Sequence, residues 1–143
     1  MTDILVVEDN DEVAAYLQDM LEQGGYRVER AATAYGAVIR AGKTRFNIVL
    51  MDLSLGGPSG PMDLDMDGGH PTGRQGDVNG AVATLALRGL GYTDVPIVVI
   101  TGGLTVLDPD IETACRFAGK LLKPALPRDV LPEIEKHLAR SGK

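Results

Sequence analysis

The stretch Asn47-Ile48-Val49-Leu50-Met51-Asp52-Leu53 sets an unbroken apolar run against a carboxylate. A short run that is apolar throughout, without alternation, fits a strand covered on both faces, and such strands belong to parallel sheets. Two further runs have the same character, Ile4-Leu5-Val6-Val7 upstream and Ile97-Val98-Val99-Ile100 downstream, with Leu121-Leu122 as a shorter fourth. Arg27-Val28-Glu29-Arg30-Ala31 is weaker and carries charge, which suits an edge strand. Helical spacing fills the gaps. Val13, Leu17, Met20 and Leu21 share one face, and Gly24-Gly25 can end that helix. Thr33 can cap a short helix holding Val38 and Ile39 and stopping at Gly42. Val82, Leu85 and Ala86 form a third stripe. Asp108-Pro109 reads as a helix start, followed by Ile111, Ala114, Cys115 and Ala118. Pro127 opens a last helix with Val130, Leu131, Ile134 and Leu138 facing inward. The order is strand then helix, five times over, and it predicts an α/β fold with a doubly wound parallel sheet.

One stretch breaks the pattern. Residues 56–76, between the third strand and the third helix, are rich in glycine, contain Pro58, Pro61 and Pro71, and show almost no aliphatic periodicity. A loop this long inside a compact domain is usually functional or mobile. The whole chain has 143 residues, so it is expected to form a single domain over 1–143. No linker or effector module is expected after Lys123.

Composition narrows the function classes. Fourteen Lys and Arg against 20 Asp and Glu leave a formal net charge of −6. Such a chain offers no cationic surface to displace phosphate counterions, so nucleic-acid binding is not expected. It also lacks a basic amphipathic stretch for a membrane surface and an apolar run long enough to span one. Met1 leads straight into Asp3, Glu8 and Asp9, which is no signal peptide. A single cysteine, Cys115, excludes an internal disulfide and fits a reducing cytoplasm. With 44% hydrophobic and 4% aromatic residues, the core must be aliphatic.

In open α/β sheets, ligands sit beyond the carboxyl ends of the strands. Glu8 and Asp9 follow the first run, Asp52 the third strand, Thr101 and Gly102 the fourth, and Lys123 and Pro124 the fifth. Any one of these could be turn chemistry: Asp9 or Asn10 could cap the first helix, Thr101 could start a turn, and Lys123 could be a solvated charge. Their shared position at one end of successive strands favours a site. Clustered carboxylates are costly without a hard cation among them, and Mg²⁺ suits oxygen ligands and phosphate partnership. A lysine and a hydroxyl beside the cation would serve in-line phosphoryl transfer, and a carboxylate could be the nucleophile.

These pieces resemble the receiver domain of response regulators in two-component signalling. The resemblance rests on Ile4-Leu5-Val6-Val7-Glu8-Asp9-Asn10, Asn47-Ile48-Val49-Leu50-Met51-Asp52-Leu53, Pro96-Ile97-Val98-Val99-Ile100-Thr101-Gly102 and Leu121-Leu122-Lys123-Pro124. It implies a flavodoxin-like (βα)5 sheet of order 2-1-3-4-5. It implies that Asp52 accepts a phosphoryl group from a histidine kinase or phosphotransfer protein. Mg²⁺ would be held by Glu8, Asp9, Asp52 and the backbone carbonyl of Ser54. Thr101 would turn toward the phosphoryl group, Lys123 would pair with it, and Gly102 would leave the approach open. The Lys123-Pro124 bond would be cis, an isomer that costs little before proline. Such a domain is not an enzyme in its own right, though it assists its own phosphoryl transfer. Its output is contact with a downstream protein through the fourth helix, fifth strand and fifth helix, and homodimerisation is compatible with that output.

Two departures from the family pattern stand out. Lys120 occupies the position where the family usually carries an aromatic switch, and an exposed strand-start lysine is the plain reading. The insert contains Asp63-Leu64-Asp65-Met66-Asp67-Gly68-Gly69-His70, which resembles half of a calcium loop, but the twelfth position is Arg74 where a bidentate acid is needed. A partner-specific loop or a lid over Asp52 fits that segment better. His70 reads as a solvated side chain and His137 as covering the edge of the last helix's apolar stripe. Cys115 reads as a small core residue, and Met62 with Met66 as thin evidence for a contact surface. Two other functions compete. A pseudo-receiver, a constitutive protein-interaction module with a vestigial pocket, remains open because of Lys120 and the insert. A phosphatase with an aspartate nucleophile after its first strand fits poorly, because Ser54 stands where that class needs a second aspartate.

Overall fold

A computed structural model describes residues 2–53, 73–102 and 109–142, with 73–79 and 139–142 as backbone only. The elements alternate along the chain: β1 (Asp3–Val7), α1 (Asp11–Gln23), β2 (Arg27–Ala31), α2 (Ala34–Lys43), β3 (Ile48–Asp52), α3 (Gly73–Gly89), β4 (Ile97–Thr101), α4 (Pro109–Cys115), β5 (Gly119–Leu122) and α5 (Pro127–Gly142). The strands form one parallel five-stranded sheet of order β2-β1-β3-β4-β5. This is the flavodoxin-like receiver topology, with the charged β2 at one edge.

Successive strand side chains point to opposite faces, and each face has its own cover. Ile4, Val6, Leu50, Val98 and Ile100 pack under Leu17 and Leu21 of α1 and Val130 and Ile134 of α5. Leu5, Val7, Val49, Met51 and Ile97 pack under the small residues Ala34, Ala37 and Ala41 of α2 and under Ala83 and Leu87 of α3. Alanine on α2 lets that helix lie close to the sheet. The buried Tyr92 hydroxyl ties the same layer together, accepting from Phe46 N at 3.1 Å with Thr44 O at 2.8 Å and Ala41 O at 3.1 Å.

The caps follow the sequence. Asn10, not Asp9, caps α1, its side chain accepting from Val13 N at 2.9 Å. Thr33 caps α2 by accepting from Gly36 N at 2.8 Å. Gly24 closes α1, and Gly25 takes a φ of 97°, a conformation open to glycine.

Several expected faces are corrected. On α3 it is Ala81, Ala83, Thr84 and Leu87 that are buried, while Val82 and Leu85 are exposed. Helical periodicity alone fitted two registers, and small residues win because the α3 backbone lies directly on the sheet. On α4 only Cys115 is buried; Ile111 is exposed, and the helix ends before Ala118, with Arg116 at a φ of 53°. Ile39 is exposed on α2, which runs one residue past Gly42 to Lys43. In β5 Leu122 is 60% exposed, since an edge strand lacks a covering neighbour on one side. His137 is 5% exposed and bonds Glu133 Oε2 at 2.8 Å, so it lies within the α5 face and not along its rim. The α3 helix begins at Gly73, inside the stretch read as insert.

Candidate functional site

The strand register brings the site together. Val7 pairs with Met51, Asp52 with Ile100, and Thr101 with Leu122. The residues that close β1, β3, β4 and β5 therefore emerge on one edge. Main-chain bonds lock them: Glu8 N donates to Ala31 O at 3.0 Å, Leu53 N to Ile100 O at 2.9 Å, and Lys123 N to Thr101 O at 2.9 Å.

Glu8, Asp9 and Asp52 each present a carboxylate oxygen within 4.8 Å of the others. Glu8 and Asp52 are each 1% exposed and Thr101 is 2% exposed, whereas Asp9 reaches solvent. Asn10 supplies the helix cap, and Asp9 takes its place in the cluster. Lys123 Nζ lies 3.3 Å from Asp52 Oδ1 and 3.8 Å from Glu8 Oε1. The Lys123-Pro124 peptide is cis, as expected.

Glu8 bears the electrostatic strain. Burial, followed by the neighbouring Asp52 charge, pushes its carboxyl up to about 7, against the opposing pull of Lys123. Its Oε2 accepts from Asn10 N at 3.2 Å, while its buried Oε1 has no hydrogen-bond partner among the described residues. A buried carboxylate oxygen without a donor, next to two more carboxylates, is a fitting place for a hard divalent cation with oxygen ligands. Ser54, the expected fourth ligand, lies outside the described residues, as do Met62, Met66 and His70.

Sequence reasoning missed two contributors. Arg30 of β2 donates from Nε to Glu8 O at 2.9 Å; a charged edge strand gave no hint of that reach. Gly80 of α3 donates N–H to Leu53 O at 3.0 Å and sits so close that a Cβ there would meet the Asp52 carbonyl oxygen. Only the absence of a side chain permits that approach. By contrast Lys120 is solvent-exposed and stands apart from the cluster's contacts. Cys115 is fully buried beside Ala81, Leu53 and Val99, a core residue as expected.

Beside Lys123 an apolar hollow of about 390 Å³ opens between α1 and the start of α5, lined by Val13, Tyr16, Leu17, Ile100, Pro124 and Ala125. Tyr16 is exposed at its rim.

The defining pattern of the response regulator receiver domain matches residues 4–68. Over 139 residues the chain is 30% identical to the response regulator receiver protein CpdR of Brucella abortus (strain 2308), covering 96% of this chain and 98% of that one. The chain belongs to the response regulator receiver domain family. Solved structures share its fold. A CheY-like receiver domain protein from Methanospirillum hungatei JF-1 is 23% identical with a TM-score of 0.77, covering 98% of this chain and 95% of that one. The chemotaxis protein CheY4 of Vibrio cholerae is 24% identical with a TM-score of 0.73, covering 96% and 99%. The receiver domain of the sensor histidine kinase PA1611 from Pseudomonas aeruginosa PAO1, solved with magnesium coordinated in its active site cleft, is 24% identical with a TM-score of 0.73, covering 96% and 98%. As a receiver domain the chain is a two-component signalling module and not a true enzyme, and the partner class of its family is a histidine kinase or phosphotransfer protein. Among the described residues no helix is long and apolar enough to cross a membrane.

Proposed function

We propose that this receiver domain is a phosphorylation-dependent switch that takes its phosphoryl group on Asp52. The observation that carries the reading is the convergence of Glu8, Asp9 and Asp52 within 4.8 Å, with Lys123 Nζ 3.3 Å from Asp52 Oδ1. Glu8, Asp9, Asp52 and the Ser54 carbonyl would hold Mg²⁺. When bound, the ion would neutralise the acidic cluster and the phosphoryl oxygens.

An Asp52 carboxylate oxygen attacks phosphorus of the donor's phosphohistidine. The new bond is O–P, the broken bond is P–N, and the donor imidazole nitrogen keeps the electron pair. Lys123 stands beside the accepting carboxylate and pairs with a phosphoryl oxygen. Thr101, buried at the end of β4, offers its hydroxyl to another. Gly102 leaves the approach open, since a Cβ there would meet nothing within 4 Å among the described residues. The apolar hollow next to Lys123 is suited to seat side chains of the donor.

The reading covers 1–143 as one receiver unit, working in the cytoplasm. Its output is protein contact at α4, β5 and α5, where the exposed Ile111 and Leu122 lie. The experiment is incubation with Mg²⁺ and acetyl phosphate, followed by intact mass measurement. The wild type is expected to gain one phosphoryl group and Asp52→Asn none. A wild type that gains nothing would support the pseudo-receiver instead, and many turnovers of donor would point to a phosphatase.

A further inference from the structure

Three carboxylates held close repel one another, so the turn that carries two of them needs a restraint. That turn, Glu8 to Asn10, lies between β1 and α1, and both restraints on the Glu8 main chain come from β2. Glu8 N donates to Ala31 O at 3.0 Å, and Glu8 O accepts from Arg30 Nε at 2.9 Å. The peptide group joining Glu8 to Asp9 is thereby fixed from its carbonyl side. The same guanidinium donates from Nη2 to Asp11 Oδ1 at 2.9 Å, reaching the first turn of α1. One side chain, planar and forked, therefore ties the Glu8 carbonyl to the first residue of α1.

We infer that Arg30 is a positioning residue for the metal site: it holds the Glu8–Asp9 peptide so that both carboxylates face the cation before it arrives. This rests on the reading of Glu8 and Asp9 as Mg²⁺ ligands. Groups behind the metal ligands commonly cost 10–100-fold in affinity when removed, because the ligands lose their orientation. Plain electrostatics gives the opposite sign: deleting a nearby positive charge should strengthen binding of a cation. The two accounts are thus separable by direction.

The test titrates magnesium chloride into the full chain by calorimetry and follows amide exchange at residues 9–11 in metal-free protein. Wild type, Arg30→Met, Arg30→Lys and Asp11→Asn are compared. Arg30→Met is expected to bind Mg²⁺ about tenfold more weakly and to exchange faster at residues 9–11 while β4 keeps its protection. Arg30→Lys, which can still reach one acceptor, should fall between. Asp11→Asn should stay within about twofold of wild type, since the bond to Glu8 O remains. Equal or tighter binding in Arg30→Met overturns the inference. So does an equal loss in Asp11→Asn, which would move the effect to the exposed pair. Should Arg30→Met loosen the whole sheet, the lysine variant decides: wild-type affinity in a stable Arg30→Lys overturns it. A wild type that takes up no Mg²⁺ overturns the metal reading itself, while unchanged exchange at residues 9–11 overturns the clamp.

Discussion

Replacing Glu8 with glutamine removes one charge from the acidic cluster while keeping its shape. Two carboxylates at the 4.8 Å limit of that cluster repel by about 1 kcal/mol at the dielectric of water and about 3.5 kcal/mol at an effective value of 20. The Glu8 carboxyl moves in the same direction, raised first by burial and then by the Asp52 charge. Its shift from 4.5 to about 7 corresponds to about 3 kcal/mol of excess free energy in the charged form. Solvent at the exposed Asp9 side screens part of this, leaving about 1–2 kcal/mol. The sign follows from proton linkage. A carboxyl whose folded value is raised binds more protons folded than unfolded, so its stabilising contribution is full below about 4.5 and is lost as pH rises through about 7. Metal-free wild type therefore carries the whole penalty at pH values above 7, and Glu8→Gln escapes it. Urea unfolding followed by circular dichroism in a chelator should show Glu8→Gln more stable by about 1–2 kcal/mol at alkaline pH. The gap should close toward pH 5, where Glu8 is itself neutral. Saturating Mg²⁺ should stabilise the wild type more than the variant. A gap independent of pH, or a variant less stable than wild type at alkaline pH in the chelator, would refute the reasoning.

Lys123→Met should slow phosphoryl uptake from acetyl phosphate about a hundredfold, the usual scale for losing a donor aimed at developing charge; mass spectrometry against time reads it. Gly80→Ala should cost about 3 kcal/mol in urea unfolding, because the new methyl would lie 2.6 Å from Leu53 Cα and 2.9 Å from Leu53 O; wild-type stability would mean that α3 is not seated against β3 as described. Tyr92→Phe leaves the buried Phe46 N–H without its acceptor and should cost about 1–3 kcal/mol by the same measurement.

The sheet and the edge that carries the candidate site were legible because buried parallel strands must be apolar throughout. Glu8, Asp52, Thr101 and Lys123 stand where those runs stop, so topology alone gathers them. The helix faces were less legible. On α3, Val82 and Leu85 outrank Ala83 and Thr84 in hydrophobicity, yet close backbone approach favours the smaller pair. On α4 the apolar spacing of Ile111 and Ala114 suggested a buried stripe, but only Cys115 reaches the core. Arg30 was invisible because its contact is to a carbonyl oxygen, a group every residue carries, and no pattern of side chains records it. His137 looked peripheral, yet it packs close to Gly119 of β5, where a Cβ would lie 3.2 Å from His137 Nε2.

The seat of Gly80 against the Asp52–Leu53 backbone also separates length from geometry. Helix α3 is registered on the sheet by a direct main-chain contact, independent of how much chain runs from 54 to 72. Closing a longer connection costs only about 0.6 kcal/mol for each doubling. Residues can therefore be added or removed beyond Ser54 while Asp52 stays where β3 places it, which opens that connection to redesign for a new correspondent.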